Sequence, residues 1–529
     1  MHCIHSLLTL LLTSTAVAHR HAHARHMDMH PSSPSDTAAA PSPHPTKYSN
    51  YLFRFTTDNP VNTTEILTSL QPYGFNMSHL HSTFSQTMNG FSALMSDHCV
   101  GKLKDMVPDG VEIEPVVTMN VRAPASEPTF PIVLKSRQRF LRHRRRSGGH
   151  IHHNHGHGHH VRPRGVGFSI ATRILDIPAL APSVAPPVSV TASPSPPQDY
   201  DILQTDATWG LQRLSQRDSI RGVTPETAVD GQNFHYKFDE SAGEGVDIYV
   251  IDTGVNVAHT DFGGRAQVKF VAESLKLTEG AEDVAGHGTH CAGTTGSLHF
   301  GVAKRANIYA IKTMGKSGGG LSSDIGAGIE YMVKRHQSRR DLPGFRGSVA
   351  SMSFGLDIDQ KDIGNSSIVS TSPMLDGIIM AAAAAGIHMV IAGGNQGIDA
   401  CRVSPGYLSN KVAPRIGYNA SVITVGATDV FDSRADFSNY GECITTYAPG
   451  VAVLSTGIGG DNTTQVKQGT SMATPHVAGL VAYLLGLKPE LKLDVQGMKR
   501  LITSTAGRGF VKNAAVNEGK LLAYNGIDG

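Results

Sequence analysis

A serine in a glycine-rich segment has the setting of an acyl-transfer nucleophile. Ser471 lies in Gly469–Gly479 (GTSMATPHVAG), at the start of an apolar run with small residues. Pro475 fits the first turn of a helix, where a missing N–H costs little, so Ser471 is predicted at a helix N-terminus. Free N–H groups and the helix dipole favour a negative oxygen there. Taken alone, an N-cap serine on a buried helix is the simpler interpretation.

Two upstream segments supply the partners that a serine nucleophile requires. Asp252 ends the apolar run 246–251, and His287 stands in Gly286–His290 (GHGTH) at the opening of a small-residue helix. A serine hydroxyl is inert near neutral pH unless a base takes its proton, and a histidine held by a carboxylate is such a base. Each residue alone has a structural alternative: a turn aspartate, a core histidine or a cap. Because these alternatives require three coincidences, the catalytic interpretation is favoured.

The order of the three residues makes the chain resemble the subtilisin-like serine proteases of the proteinase K type. The similarity extends from residues 204–211 (QTDATWGL) to residues 521–525 (LLAYN). It implies an α/β fold with a mostly parallel sheet and helices on both faces. It also implies that Ser471 is the nucleophile, that His287 is the base and then the acid, and that Asp252 orients and stabilises the imidazole.

The resemblance further implies an oxyanion site and a substrate cleft. Asn395, at the end of residues 392–395 (AGGN), matches the family's oxyanion asparagine, with the Ser471 backbone N–H as its companion. A Gly-Asn pair also marks a left-handed turn, and both roles are compatible. Substrate would lie as an extra strand between two glycine-rich edges. The substrate-binding residues implied are Ser317, Gly318, Gly319, Ser353, Phe354, Gly355, Ala392, Gly393 and Gly394. No charged residue occurs in the pocket walls, which predicts an apolar residue before the cut.

The cysteines and one threonine bear on redox state and metal binding. Cys291 follows His287 by one helical turn and is expected to be a buried free thiol. The neighbourhoods of Cys401 and Cys443 resemble those of vacuolar members of the group, which makes the two a disulfide candidate. Peptide hydrolysis by a serine, a histidine and an aspartate requires no cofactor. Thr445 stands where proteinase K has a calcium-binding aspartate; since a hydroxyl is a poorer ligand, a structural calcium ion stays open and no metal residues are assigned.

Strand-like and helix-like patterns alternate through this region, as in a mostly parallel sheet. The predicted strands are residues 246–251, 308–312, 348–352, 388–392, 422–425 and 446–454. The predicted helices are residues 290–297, 323–333, 377–385 and 474–485. Asp252 is thereby expected at the carboxyl end of its strand, where open α/β sheets carry their sites.

A small α+β unit is predicted upstream, with strands at residues 51–55, 88–94 and 111–119 and a helix beginning at Asn62. Residues 89–93 (NGFSA) and 114–117 (EPVV) resemble the inhibitor-type propeptide of subtilisin-like proteases. An unrelated ferredoxin-like module is the alternative interpretation.

Composition divides the rest of the chain. The net charge of +2 gives no global reason to expect nucleic acid, because the basic excess is confined to one low-complexity segment. That segment contains Arg142–Arg146, interpreted as a recognition site for a processing protease, and a histidine tract at 150–160. The tract could hold a transition metal weakly, but a solvated linker is the simpler interpretation. The predicted organisation is a signal peptide at 1–18, a disordered His/Pro-rich segment at 19–47, the propeptide at 48–122, a linker at 123–203 and a peptidase domain at 204–529.

The sequence therefore predicts a secreted or vacuolar serine endopeptidase, made as a zymogen and cutting broadly after apolar residues. Its expected partners are peptide substrates and its own propeptide, with no nucleic acid, no membrane span and a monomeric state. Sequons compatible with a glycosylated secretory product occur at Asn62, Asn76, Asn365, Asn419 and Asn462. A binding protein that kept the fold without activity, and a polyanion- or metal-binding protein acting through the linker, are the alternatives.

Overall fold

The computed structural model describes residues 47–56, 62–108, 110–121, 140–142, 202–230, 233–409, 422–507, 510–514 and 520–527. The predicted signal peptide, residues 19–46 and most of the predicted linker lie outside the described residues. The strands are β1 Tyr48–Phe55, β2 Leu80–Phe84, β3 Gly90–Ser96, β4 Val111–Pro115, β5 Thr118–Asn120, β6 Phe140–Arg142, β7 Ile202–Ala207, β8 Phe234–Phe238, β9 Val246–Asp252, β10 Ala266–Val271, β11 Asn307–Lys312, β12 Gly319–Leu321, β13 Gly347–Met352, β14 His388–Ala392, β15 Ile423–Thr428, β16 Thr446–Pro449, β17 Val453–Thr456 and β18 Thr464–Lys467. The helices are α1 Thr63–Leu70, α2 Asp97–Met106, α3 Trp209–Leu214, α4 Pro225–Asp230, α5 Glu273–Lys276, α6 His287–Gly296, α7 Ser322–Arg339, α8 Pro373–Ala384, α9 Thr470–Leu487 and α10 Val495–Thr505.

A seven-stranded sheet organises the larger part of the chain, in the order β10-β11-β9-β13-β14-β15-β16. All of its pairings are parallel, which confirms the predicted α/β class. From β9 the chain goes to the edge strand β10 and returns to β11, which lies between β10 and β9, whereas from β13 it continues outward through β14 to β16 on the other side. The connections therefore diverge between β9 and β13, and the carboxyl ends of these strands border a crevice of the kind in which such sheets bind ligands.

Side chains along β9 alternate between two hydrophobic cores. Ile248 and Val250 belong to the cluster that contains α6 and α9, whereas Tyr249 and Ile251 belong to the cluster that contains α7 and α8. Because successive strand residues point to opposite faces, this division places helices on both faces of the sheet, as predicted.

Two predicted strands are each broken into two. Residues 446–454 form β16 in the main sheet and β17 in a separate hairpin with β18. Ala452 between them has φ 51°, a left-handed conformation that turns the chain. Residues 111–119 likewise form β4, which pairs with β1, and β5, which pairs with β12. Pro115 ends β4, since it has no N–H to continue a ladder.

Residues 48–121 contain the predicted small α+β unit. Its antiparallel sheet has the order β2-β3-β1-β4. The rings of Phe53 and Phe91 stack in its core with α1 and α2 packed against them. Asn62 caps α1 by accepting from the Glu65 N–H, as the sequence suggested. Helix α2 was not predicted, although Ser96 caps it in the same way.

Two short stretches of the predicted linker are also ordered. β6 pairs with β7, and β7 begins at Ile202, just before the predicted boundary at residue 204. Within the described residues, α9 is long and apolar enough to cross a membrane, but 94% of that window is buried inside the fold. Helix α9 is therefore a core helix here.

Candidate active site

Asp252 and His287 are hydrogen-bonded to each other at adjoining ends of β9 and α6. His287 Nδ1 lies 2.8 Å from Asp252 Oδ1. Asp252 is fully buried and His287 is 9% exposed. Burial by itself lowers the pKa of His287, but the Asp252 carboxylate more than offsets it, and the pKa is raised well above its ordinary value. The pair has the arrangement of a base and the carboxylate that orients it.

A second carboxylate, Asp283, fixes the loop between these two residues. Its oxygens accept hydrogen bonds from the Thr253 hydroxyl, the Gly286 N–H, and both the N–H and the hydroxyl of Thr289. The residue after Asp252 and the first turn of α6 are thus tied to one buried group. Sequence reasoning missed Asp283, because a single acid in a loop belongs to no pattern.

Gly288 allows α6 to approach the Asp252 loop closely. A Cβ on Gly288 would stand 2.1 Å from the carbonyl oxygen of Gly254. The Gly288 N–H also donates to Thr253 Oγ1. The close approach that requires glycine at this position is therefore within the protein.

Ser471 lies in the first turn of α9, but the helix begins earlier than predicted. It starts at Thr470, so Pro475 stands inside the helix and its predicted place in the first turn is wrong. Proline cannot donate to the carbonyl four residues before it, which is that of Ser471. This carbonyl accepts instead from Ser353 Oγ at 3.0 Å and from Cys291 Sγ at 3.4 Å. Tertiary contacts therefore replace the missing helical bond at Ser471.

Ser471 and His287 line one cavity. Among the described contacts, Ser471 Oγ donates to the carbonyl of Ser353 at 3.1 Å. A nucleophile–base hydrogen bond is often long or misaligned until substrate binds.

Asn395 follows β14 at the same edge of the sheet. Its Oδ1 accepts from the N–H of Thr470 and from the Thr470 hydroxyl, both at 2.8 Å. The side-chain oxygen is thereby held against the start of α9, which leaves the amide nitrogen as the donor end of the side chain. Asn395 and Ser471 line one pocket, so the predicted oxyanion residue lies next to the predicted nucleophile.

The chain's own segment 118–121 lies in the cleft as an additional strand. β5 pairs antiparallel with β12, with Asn120 opposite Gly319. On its other side, the Asn120 N–H donates to Gly355 O at 3.0 Å and the Gly355 N–H donates to Asn120 O at 3.1 Å. Val121 N–H then donates to Gly318 O at 2.9 Å. The two edges predicted to bind substrate therefore hold a peptide in extended form.

The predicted pocket walls do come together. Ser353, Phe354 and Gly355 face Ala392, Gly393 and Gly394 around one cavity, while Ser317 and Gly318 line a neighbouring cavity that also contains His287 and Ser471. In the first cavity one lining residue is charged, Asp357, which lies beyond the wall segment considered in the sequence. Lys316 and Lys467 line the second cavity. Asp357 belongs to none of the motifs quoted from the sequence, so no pattern marked it as a site residue.

Two carboxylates anchor the 48–121 unit to the larger part. Glu330 of α7 is 3% exposed and accepts from the N–H groups of Ser85, Gln86 and Thr87. Burial raises the pKa of Glu330, but these hydrogen bonds outweigh it and the pKa is lowered. The second carboxylate, Glu114, belongs to the 48–121 unit and accepts hydrogen bonds from the Ser372 hydroxyl and the Met374 N–H at the start of α8. Both contacts are charge-assisted and lie away from the cleft.

The cysteines are arranged as the sequence suggested. Cys401 and Cys443 form a disulfide with a Cα–Cα distance of 5.2 Å. Cys291 is a buried free thiol beneath His287. Burial raises its pKa, so it stays a thiol.

The side chain of Thr445 is hydrogen-bonded to the backbone. Thr445 Oγ1 accepts from the Thr424 N–H at 3.1 Å, so this hydroxyl is engaged by the backbone. Among the described residues, the cluster with metal-ligand character is Asp252, His287 and Cys291, which is the histidine–aspartate pair with the thiol below it. No step of the chemistry is assigned to a metal.

Comparison with known proteins finds similarity to the subtilase family and to fungal subtilisin-like serine proteases. The model of the subtilase family (peptidase S8) matches residues 243–525. The subtilisin-like serine protease Pen ch 18 of Penicillium rubens is 40% identical over 61% of this chain and 60% of its own length. Alkaline protease 2 of Aspergillus fumigatus is 39% identical over 61% of each chain. Cerevisin of Saccharomyces cerevisiae is 39% identical over 61% of this chain and 47% of its own length.

The match thus spans about 60% or less of these relatives' lengths. Among solved structures, a cold-adapted subtilisin-like serine proteinase is 32% identical, over 60% of this chain and 98% of that one, with a TM-score of 0.48.

Proposed function

This chain belongs to the subtilase family, and we propose that it is a serine endopeptidase made as an inhibited zymogen. The observation that carries the proposal is the hydrogen-bonded pair of His287 and Asp252 beside Ser471, in a cleft that already holds a peptide strand. The alternative of an inactive binding protein is not favoured, because the four residues that catalysis needs lie at one edge of the sheet.

In the proposed mechanism, Ser471 Oγ attacks the carbonyl carbon of the scissile bond while His287 takes the hydroxyl proton. Asp252 holds the imidazole in the tautomer whose Nε2 can accept that proton, and stabilises the imidazolium that results. The same proton passes to the leaving amine as the peptide bond breaks. Water then attacks the acyl-enzyme by the reverse route and regenerates Ser471.

The negative oxygen of the tetrahedral intermediate would be stabilised by the Asn395 side-chain amide and the backbone N–H of Ser471. The carbonyl oxygen of Asn395 is already bound by Thr470, which fixes the direction of the amide. A donor fixed before the reaction needs no reorganisation as charge develops.

Residues 48–121 are proposed as the intramolecular inhibitor. β5 occupies the strand position that a substrate would take, and Glu330 and Glu114 hold the unit at sites outside the cleft. We place the protein in the secretory pathway, outside the cell, with the vacuole as the alternative. A monomer with no membrane span and no nucleic-acid partner remains the proposal.

Peptides that vary in the residue before the cut test this function. The mature protein is expected to hydrolyse peptides with Leu or Phe at this position at least about tenfold faster, by kcat/KM, than matched peptides with Asp, because the two wall segments carry no positive charge to pair with a carboxylate. A Ser471→Ala protein provides the blank. Equal rates for all residues would contradict the assigned pocket, and no hydrolysis of any peptide would contradict the proposed activity.

A further inference from the structure

We propose that Asp357 makes the cleft select a cationic or amide side chain at the third residue before the cut. The inference rests on the proposed function and extends it to a second position of the substrate. The substrates it favours are peptides with Lys, Arg or Asn at that position, two residues ahead of the one in the main pocket.

The strand register defines which residue this is. Asn120 exchanges both of its backbone hydrogen bonds with Gly355. In an antiparallel pair, two steps forward on one strand meet two steps back on the other. In a substrate of the same register, the residue two positions after the one paired with Gly355 therefore comes opposite Ser353. Ser353 is hydrogen-bonded to Ser471 through both its hydroxyl and its carbonyl. The carbonyl of that substrate residue would meet Ser471, so the position of Asn120 corresponds to the third residue before the cut.

Asp357 is the side chain that meets this third residue. Asn120 Nδ2 donates to Asp357 Oδ2 at 3.1 Å. Both side chains are half-buried, so the contact is neither dry nor fully solvated. The side-chain amide of Asn120, which takes the place of a substrate side chain, thus contacts the Asp357 carboxylate. Both residues line the cavity that Ser471 also lines.

The loop holds Asp357 in this position. The Leu356 N–H donates to Ser404 O at 2.9 Å, which continues the edge beyond Gly355. Leu356 and Ile358 on either side are buried, at 8% and 3% exposed. Two buried neighbours along an extended segment turn the residue between them the other way, toward the cleft.

The chemistry follows from the charge of Asp357. An ionised carboxylate only accepts hydrogen bonds, so a donor such as Asn, Lys or Arg is favoured and an apolar side chain gains nothing. A glutamate would place a second negative charge beside the first. Because the site is partly solvated, water weakens the effect relative to a buried pair.

Matched peptides that differ at this one position measure the selectivity. We expect the mature protein to show a kcat/KM about tenfold higher for the Lys peptide than for the Glu peptide, with Asn above Leu. In Asp357→Asn the Lys-to-Glu ratio should fall to near one. The control is Asp359→Asn, at an exposed acid two residues on that pairs with Lys361, where the ratio should persist. A Lys-to-Glu ratio near one in the unchanged protein, or one that Asp357→Asn leaves intact, would overturn the inference.

A second measurement does not depend on catalysis. In the full-length Ser471→Ala chain, Asn120→Asp should speed amide hydrogen exchange at Val121 and Gly355 about tenfold, because two carboxylates then face each other. Adding Asp357→Asn exchanges the two partners and should restore protection. Failure of the double variant to restore it would overturn the inference. Restored protection together with no peptide hydrolysis by the unchanged mature protein would support this site and contradict the proposed function instead.

Discussion

Ser471→Ala is expected to lower turnover by about a million-fold, the scale of loss known for the nucleophile of subtilisin. The hydroxyl is the group that forms the acyl-enzyme, and no neighbouring side chain can replace it. The protein should stay folded, because the structural contacts at this residue involve its carbonyl, which Ser353 and Cys291 bind and which alanine retains. The lost bond from Ser471 Oγ to Ser353 O is worth only about 1 kcal/mol.

Peptide hydrolysis with purified proteins measures this loss, and Ser504→Ala, at an exposed position on α10, is the matched control. The control should keep full activity and unfold at the temperature of the unchanged protein, and Ser471→Ala should still show a cooperative unfolding transition. Hydrolysis by Ser471→Ala at a rate near that of the unchanged protein would remove Ser471 from the mechanism.

The second large effect concerns maturation: Ser471→Ala should abolish the chain's cleavage of its own propeptide. The sequence indicates a separate cut by another protease at Arg142–Arg146. The strand register predicts that the first self-cleavage occurs at the bond between residues 122 and 123, because residue 121 already lies in the cleft. A tethered segment reacts at high effective concentration, so residue 122 does not need to be the best fit for the pocket.

Intact-mass analysis of both proteins from a secretory host tests this order of events. The unchanged protein should yield a fragment that ends at residue 122, and Ser471→Ala should lack it while keeping any cut after the arginine run. A Ser471→Ala protein cut at residue 122 as completely as the unchanged one would mean that another protease matures the chain.

The core of the fold was predictable where the chain has long apolar runs bounded by glycine. β14 was predicted at its observed bounds, and β9, β11 and β13 to within one residue, because buried parallel strands read as continuous apolar segments. Local rules failed where a tertiary contact decides the outcome. The start of α9 was predicted too late, because proline is expected only in the first turn of a helix. In the folded chain, Ser353 and Cys291 donate to the Ser471 carbonyl that Pro475 cannot bind, so the proline is accommodated inside the helix.

The candidate site likewise contains residues that short sequence motifs reveal and residues that only the folded contacts reveal. Asp252, His287, Asn395 and Ser471 stand in short motifs that a sequence can carry. Asp283 and Asp357 act through contacts with residues distant in the chain or in another segment, so no local pattern marks them. The statement that the pocket walls lack charge was true of the motif residues and incomplete for the folded cleft, because Asp357 follows the motif by two residues.

The most direct test of the central claim is covalent labelling of the mature protein with a fluorophosphonate, which reacts with a serine oxygen that an adjacent base activates. Peptide mass spectrometry should locate one adduct per molecule on Ser471, formed in step with the loss of hydrolysis. The uncut chain should react far more slowly, since β5 fills the cleft. Full inhibition with the adduct on another residue, or hydrolysis that persists when Ser471 is fully labelled, would contradict the account.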